Sequence, residues 1–323
     1  MDIISLLEIL ADGGFYSGVV LGKRLNMSRT SIWKMIPRIE ELGIPVECVK
    51  GKGYRIPGGL DLLPRSSADL ISEENMLHLA HFERLLSVDS TNSYASEVLA
   101  DVKPRQGDYV LILAEHQSGG RGRRGRVWQS PFGQNLYFSI GFNYLGDISV
   151  LSGLSLAIGL GVADALDRLG ISGVGVKWPN DVMVKGKKIA GVLIELTGEL
   201  SAGCQVIVGV GLNVRMDEQL IDQPWTSLKK EGADISRTII TRMVINGVLK
   251  SMEDFLANGF ASFHKQWVKY DWLYGKEVTL SVGERHGKVL GVSDRGELLI
   301  ESPVGQLSIN AGEVSVRVSN STV

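Results

Sequence analysis

The sequence predicts an α+β chain of several domains, and three observations carry that reading. A helical start closes in a hairpin by residue 57, a long middle mixes helical periodicity with apolar runs, and the end is a series of short strands between turns. Its 323 residues, 44% of them apolar, are ample for two or three cores, and a 22% charged share is ordinary for a globular chain. A disordered tail, a fibre and a small disulfide-stapled scaffold are thereby excluded.

In the first unit, Ile3, Leu6, Leu7 and Leu10 recur at helical spacing and Gly13-Gly14 stops the helix. A second helix is expected from about Ser17 to Leu25. Ser28 caps a third, whose apolar face is Ile32, Met35, Ile36 and Ile39. Pro37 lies inside it and predicts a kink or an early stop near Ile36. Gly51 and Gly53 then divide Val46–Ile56 into a β-hairpin. Three helices and a hairpin make a winged helix-turn-helix over residues 1–60.

The net charge is only −2, so any nucleic-acid affinity must come from a local patch. That patch is here: Lys23, Arg24, Arg29, Lys34 and Arg38 lie between Ser17 and Ile39 with no acidic residue, and Lys50, Lys52 and Arg55 add a basic wing. Ser28, Arg29, Thr30 and Ser31 open the third helix and, with Lys34, Lys52 and Arg55, are the candidate DNA contacts. A protein-contact module is the alternative.

Gly58-Gly59 and Pro64 mark a linker. From residue 66 to 271 the runs Tyr109–Ala114, Asn135–Phe142, Ile189–Leu196 and Gln205–Val214 read as strands of a central α/β domain with a mixed sheet. The uncharged stretch Ile148–Ala163 is short of the roughly 20 apolar residues of a membrane span and reads as a buried helix ending near Leu169, with Gly170 beyond it. No membrane association is expected. Over residues 275–320, short strands at Val278–Leu280, Gly287–Val292, Glu297–Ile300 and Gln306–Ile309 suggest a small SH3-like β-barrel. Cys48 and Cys204 form no C-x-x-C pair, and Asp2 and Glu8 interrupt any signal-like apolar start, so a reducing cytoplasm is expected.

Gly120-Arg121-Gly122-Arg123-Arg124-Gly125 matches the dinucleotide pattern G-x-G-x-x-G literally, yet the residues after it, Trp128-Gln129-Ser130-Pro131 and then Leu136–Ser139, read as a turn and a strand. A pyrophosphate-binding glycine turn should open a helix, so a dinucleotide-binding redox repressor is disfavoured. Arg121, Arg123, Arg124 and Arg126 instead form an anion clamp, with no acidic residue between His116 and Gly146 to pair them locally. Val176–Asp181 places Lys177 before a Pro179 turn, and Asp89–Asn92 precedes a helix expected over about Ser93–Leu99.

Together these motifs resemble the bifunctional biotin protein ligase and biotin operon repressor family over essentially the whole chain. The resemblance rests on Asp89–Asn92, Gln117 with Gly120–Arg126, Ser130–Gly133 leading to Asn135–Tyr137, Lys177–Asp181, Ala190–Leu193, Gly209–Asn213 and, in the wing, Lys50–Tyr54. It implies formation of biotinyl-5′-AMP from biotin and ATP with Mg²⁺, then biotin transfer to a lysine of a biotin carboxyl carrier protein. It also implies repression by an adenylate-bound homodimer on operator DNA. Carried over residue by residue, it implies biotin or adenylate contacts at Ser90, Thr91, Asn92, Gln117, Arg121, Gly122, Arg123 and Lys177. Of these, Lys177, Arg121 and Arg123 are the catalytic candidates. Attack of a carboxylate on a phosphate joins two anions, so cations at the reacting atoms are the chemistry required. Trp225 is a candidate for stacking on adenine and Asn213 for ATP binding, and Asn213 with Asp181 is loosely a metal holder; no side-chain set has metal-ligand spacing. Val127 departs from the family, where a basic residue often precedes Trp128. A lipoate-type ligase and a non-catalytic ligand-responsive repressor are the alternatives.

Overall fold

The computed structural model describes residues 3–198, 203–218, 223–281, 286–311 and 316–318. Its first unit has helices α1 (Ile3–Leu10), α2 (Gly18–Leu25) and α3 (Arg29–Glu40), then strands β1 (Glu47–Val49) and β2 (Gly53–Arg55). Ser17 and Ser28 cap α2 and α3, each accepting a hydrogen bond from the backbone N–H three residues on. The expected stop at Ile36 does not occur, and α3 continues to Glu40. Pro37 sits in the last turn, and Ile39 beyond it is fully buried, so core packing holds the turn despite the missing N–H. Tyr16 pairs with Tyr54 of β2 through two backbone bonds of 2.9 Å, adding a one-residue antiparallel bridge beside the three paired positions of the wing.

The connection from 58 to 65 is packed rather than loose. Leu60 and Leu62 lie against the winged core, and Leu63 is buried in the central one. After it come α4 (Glu73–Met76), β3 (Leu79–Leu85), α5 (Thr91–Val102), β4 (Tyr109–Ala114) and β5 (Leu136–Tyr144). Then come α6 (Leu154–Arg168), β6 (Val174–Lys177), β7 (Asp181–Val184), β8 (Lys187–Thr197), β9 (Cys204–Leu212), α7 (Arg237–Asn258) and α8 (His264–Tyr270). The strands form a seven-stranded sheet in the order β3-β4-β5-β9-β8-β7-β6, mixed because β3 and β4 are parallel and the other pairs antiparallel.

Side-chain alternation decides what covers each face. Val110 and Ile112 of β4 meet Ala95 and Leu99 of α5 on one side, while Leu111 and Leu113 join the core under α6 and α7 on the other. The segment Ile148–Arg168 has the length and composition of a membrane span, but most of α6 is buried inside this core, as a central helix should be.

The last unit is a five-stranded antiparallel sheet of β10 (Glu277–Leu280), β11 (His286–Val292), β12 (Leu298–Ser302), β13 (Gly305–Ile309) and β14 (Val316–Val318), in the order β13-β12-β11-β10-β14. The Trp178 indole N–H donates to Gly296 O at 3.0 Å, tying this sheet to the β6–β7 turn. Residues 319–320 of the expected C-terminal domain lie outside the described residues.

The winged unit is joined to the centre by charge and by one ring. Phe132, from the loop before β5, sits in the winged core. Glu115, fully buried at the end of β4, accepts hydrogen bonds from Leu63 N–H at 2.7 Å and Arg237 at 2.9 Å, with Arg84 at 3.7 Å. Arg84 and Arg65 in turn reach Glu8 of α1.

Candidate active site

A cleft of about 850 Å³ opens over the middle of the seven-stranded sheet. Its floor is Gly191–Leu193 of β8 and Gly209–Gly211 of β9, its walls the arginine loop, the β6–β7 turn and the start of α5, and Arg317 of β14 closes one end. Small residues on the floor are required by what lies on it. A Cβ at Gly211 would stand 2.4 Å from the Trp128 ring, and one at Gly209 2.2 Å from Asn92 Oδ1.

At one wall, Ser90 occupies the N-cap position of α5 but makes no capping bond with its side chain, so its hydroxyl remains available to the cleft although the residue is nearly buried. The helix begins at Thr91 rather than near Ser93, which places Thr91 and Asn92 in its first turn. Thr91 donates to Gln117 Oε1 through both N–H (2.8 Å) and hydroxyl (3.1 Å), and Gln117 donates to Ser130 Oγ at 3.0 Å. Ser139 Oγ of β5 lies 2.8 Å from Thr91 Oγ1 and 2.6 Å from Asn92 Oδ1. Asn92 donates to Glu195 at 2.7 Å. Ser90, Thr91 and Gln117 line this side of the cleft, whereas Asn92 is not part of its lining and supports it through Ser139 and Glu195, a continuous polar network that preorganises the wall for a small polar ring system.

The arginine loop makes a short turn at Arg123–Gly125 and then extends towards β5; no helix opens at it, in agreement with the sequence reading. Sequence distance, however, concealed its partners. Arg121 is 3.2 Å from Glu195 of β8 and donates to Ser93 Oγ at 3.0 Å; Arg123 donates to Asn180 at 3.3 Å and to Ala311 O; Arg124 reaches Ser281 at 3.5 Å. These groups come from up to 188 residues away. Gly122 lies between the two arginines on the cleft wall.

Lys177 ends β6 directly opposite Asp181 of β7, and the turn between them contains a cis Trp178–Pro179 peptide. Burial pushes the Lys177 ammonium below its ordinary range; Asp181 opposes this, while Lys188, Arg126 and Arg317 add to it. Arg123 is likewise lowered, first by burial and then by Arg124. Seven basic side chains line the cleft among its described residues (Arg121, Arg123, Arg124, Arg126, Lys177, Lys188 and Arg317) against the single carboxylate Asp181, itself held by Lys188 at 2.6 Å. Such a cleft recruits an anion with several charges.

Asn213, a buried residue of the cleft lining, donates to Thr226 O at 3.0 Å, and its buried Oδ1 has no hydrogen-bond partner among the described residues. Trp225 lines the same cleft, half-buried, with Lys230 over its ring at 4.0 Å. Sequence reasoning passed over Lys188, Trp128, Asn180 and Glu195. Lys188 immediately precedes the Ile189–Leu196 run, and Trp128 directly follows the clamp, so proximity to quoted motifs was their only signal.

In the winged unit, Ser28 Oγ accepts from Ser31 N–H at 3.0 Å and lies 2.9 Å from Ser31 Oγ, so both hydroxyls are engaged in the cap. Arg29, Thr30, Lys34 and Lys52 are exposed, whereas Arg55 is half-buried and bonded to Glu47 at 2.6 Å.

Comparison with known proteins decides what these features belong to. The family model "Biotin/lipoate A/B protein ligase family" matches residues 86–213, an HTH domain model residues 3–55, and "Biotin protein ligase C terminal domain" residues 274–317. The chain is 37% identical to the bifunctional ligase/repressor BirA of Salmonella typhimurium and 35% to that of Escherichia coli, in each case over 97% of both chains. The chain belongs to the biotin protein ligase family. Among solved structures, the biotin protein ligase from Aquifex aeolicus in complex with biotin and ATP is 32% identical, with a TM-score of 0.63 over 74% of this chain and 99% of that one.

Proposed function

We propose that this chain is a biotin protein ligase that is also a transcriptional repressor. It joins biotin to ATP as biotinyl-5′-AMP, passes the biotinyl group to one lysine of a biotin carboxyl carrier protein, and, loaded with the adenylate, binds operator DNA as a homodimer in the cytoplasm. The observation that carries the ligase reading is the crowding of Lys177, Arg123 and Lys188 about one carboxylate, beside a neutral hydrogen-bonding wall in the same cleft. One half suits triphosphate and carboxylate, the other an uncharged ureido ring.

That division sets the chemistry. A biotin carboxylate oxygen attacks the α-phosphorus, the bond to the bridging oxygen breaks, and pyrophosphate leaves. No protein nucleophile is needed; the protein's part is to hold two anions together and stabilise the charge that develops between them. Lys177 and Arg123, both partly desolvated, act there, and an arriving anion restores the proton affinity that burial lowers. Ser90, Thr91, Asn92 and Gln117 orient the ring. The Arg121–Arg126 loop covers the mixed anhydride and shields it from water. In the second step the carrier lysine's amine attacks the acyl carbon, AMP leaves, and the amine gives up a proton.

Mg²⁺ would find hard oxygen donors on two residues of the cleft lining, the orphaned Asn213 Oδ1, which is buried, and the Asp181 carboxylate, whose Oδ1 is held by Lys188. Held there with ATP, the ion would supply neutralisation of phosphate charge. Trp225 is assigned to adenine. Residues 1–60, 66–271 and 275–320 are taken as the three domains, the last as an SH3-like barrel, with Arg317 bringing it to the cleft. The repressor role rests on the exposed Arg29, Thr30, Lys34 and Lys52 and on the HTH match.

Mass spectrometry of the protein incubated with ATP, Mg²⁺ and either biotin or lipoate tests the proposal. Biotinyl-AMP alone is expected. Lipoyl-AMP would make it a lipoate ligase, and no adenylate with either acid would reduce it to a ligand-responsive repressor.

A further inference from the structure

Trp33 is a side chain that the packing of the winged unit does not explain. It is 62% exposed on α3, whereas the other five tryptophans are buried or half-buried. An indole is among the largest apolar surfaces a residue can present, and a covered one is the rule. The inward face of α3 is complete without it, formed by Ile32, Met35, Ile36 and Ile39. Trp33 shares the outer surface with Arg29 and Thr30 one turn before it, Lys34 beside it and Pro37 one turn after, all exposed.

The surroundings restrict what can cover it. Arg24 lies over the Tyr16 ring and Arg55 is bonded to Glu47, but Arg29, Lys34 and Arg38 have no ion pair among the described residues. No acidic residue occurs between Gly13 and Ile39. A partner must therefore be anionic at its rim and apolar where the indole meets it. A duplex major groove has this arrangement, with phosphates along both edges and thymine C5-methyl groups on a floor wide enough for a helix. An acidic protein would match the charge of α3 alone, whereas two phosphate strands also call for a second row of cations, which the exposed Lys50 and Lys52 of the wing supply here.

We propose that Trp33 is a specificity-determining residue for DNA, its indole packing on thymine methyl groups in the major groove while Arg29 and Lys34 hold the flanking phosphates. This rests on the repressor reading above. It assigns to α3 a preference for thymine that the polar residues at its start do not carry.

The test uses the full-length, adenylate-loaded protein to select duplexes from a random pool. The selected duplex is then rebuilt with deoxyuridine for each thymidine in turn, which removes the methyl group alone. At one or two positions this should weaken wild-type binding by about five- to tenfold. At those positions it should leave Trp33→Ala unaffected, and that variant should bind the parent duplex as weakly as wild type binds the deoxyuridine form. Arg29→Ala should weaken both duplexes equally. Methyl removal that affects wild type and Trp33→Ala alike, or neither, overturns the assignment. A wild-type circular dichroism spectrum and melting midpoint certify the fold of each variant, and the wild-type deoxyuridine scan stands if Trp33→Ala fails to fold; a scan without effect overturns the assignment by itself. If the loaded wild type selects no duplex, the repressor reading falls and the inference with it.

Discussion

Glu115→Gln removes one charge from the centre of the junction between the winged and central units. Glu115 is fully buried, and the Arg237 and Arg84 side chains beside it are 1% and 2% exposed. Gln keeps the shape and an acceptor for Leu63 N–H, but it leaves the buried Arg237 guanidinium without its carboxylate partner at 2.9 Å and the buried Arg84 with Glu8 alone. Breaking a buried pair from one side costs about 3–5 kcal/mol; with the retained acceptor, about 3 kcal/mol is expected. Over 323 residues, each contributing about 2.1 cal/mol/K to the unfolding entropy, that is a fall of roughly 4 °C in the thermal midpoint. Circular dichroism melts of Glu115→Gln, Arg237→Met and the double variant measure it. The double variant should lose about 2 kcal/mol less than the sum of the singles, because neither charge is then stranded by the other's removal. A midpoint shift under about 2 °C, or strict additivity, would refute the reasoning.

The other predictions concern the cleft. Lys177→Met should lower the adenylation rate by about 10²–10³-fold, the scale of losing one preorganised charge donor, with the melting midpoint little changed; stopped-flow or quench kinetics measure it. Burial lowers the Lys177 pKa and only its protonated form stabilises the developing charge. The kcat/KM for biotin should therefore decline on the alkaline side below the ordinary lysine value of about 10.4, and Lys177→Arg should abolish that decline. A profile flat to that pH contradicts the assignment. Gly211→Ala forces the Trp128 ring off the floor and should raise KM for biotin about tenfold or more while kcat holds. Glu195→Gln releases Arg121, and limited trypsin digestion should then cut the Arg121–Arg126 loop faster than in wild type.

The winged unit was legible because its signals are local: serine caps, a 3.6-residue apolar period and a glycine hairpin all lie within a few residues of what they specify. Tyr109–Ala114 was legible to the residue for the same reason, an apolar run with turns on both sides. Local rules misjudged Pro37, because the burial of Ile39 that overrides them is a tertiary fact. The arginine loop shows the other limit. Its four arginines without neighbouring acids were plain in the sequence, yet their partners Glu195, Asn180 and Ala311 are far along the chain and meet them only once the sheet forms. Lys188 and Trp128 were missed because a lysine beside an apolar run, or a tryptophan after a loop, has no distinguishing spacing. Their meaning comes from the register of β8 on β7 and β9, which brings Lys188 to Asp181 and opens the floor under Trp128.

The central claim is that one cleft activates biotin through Lys177 and its neighbouring cations, and biotin-dependent exchange of labelled pyrophosphate into ATP measures that step alone. The account predicts exchange with biotin, none with lipoate, and a loss of about 10²-fold or more in Lys177→Met. Absence of exchange in the folded wild-type protein, or exchange undiminished in Lys177→Met, would contradict it.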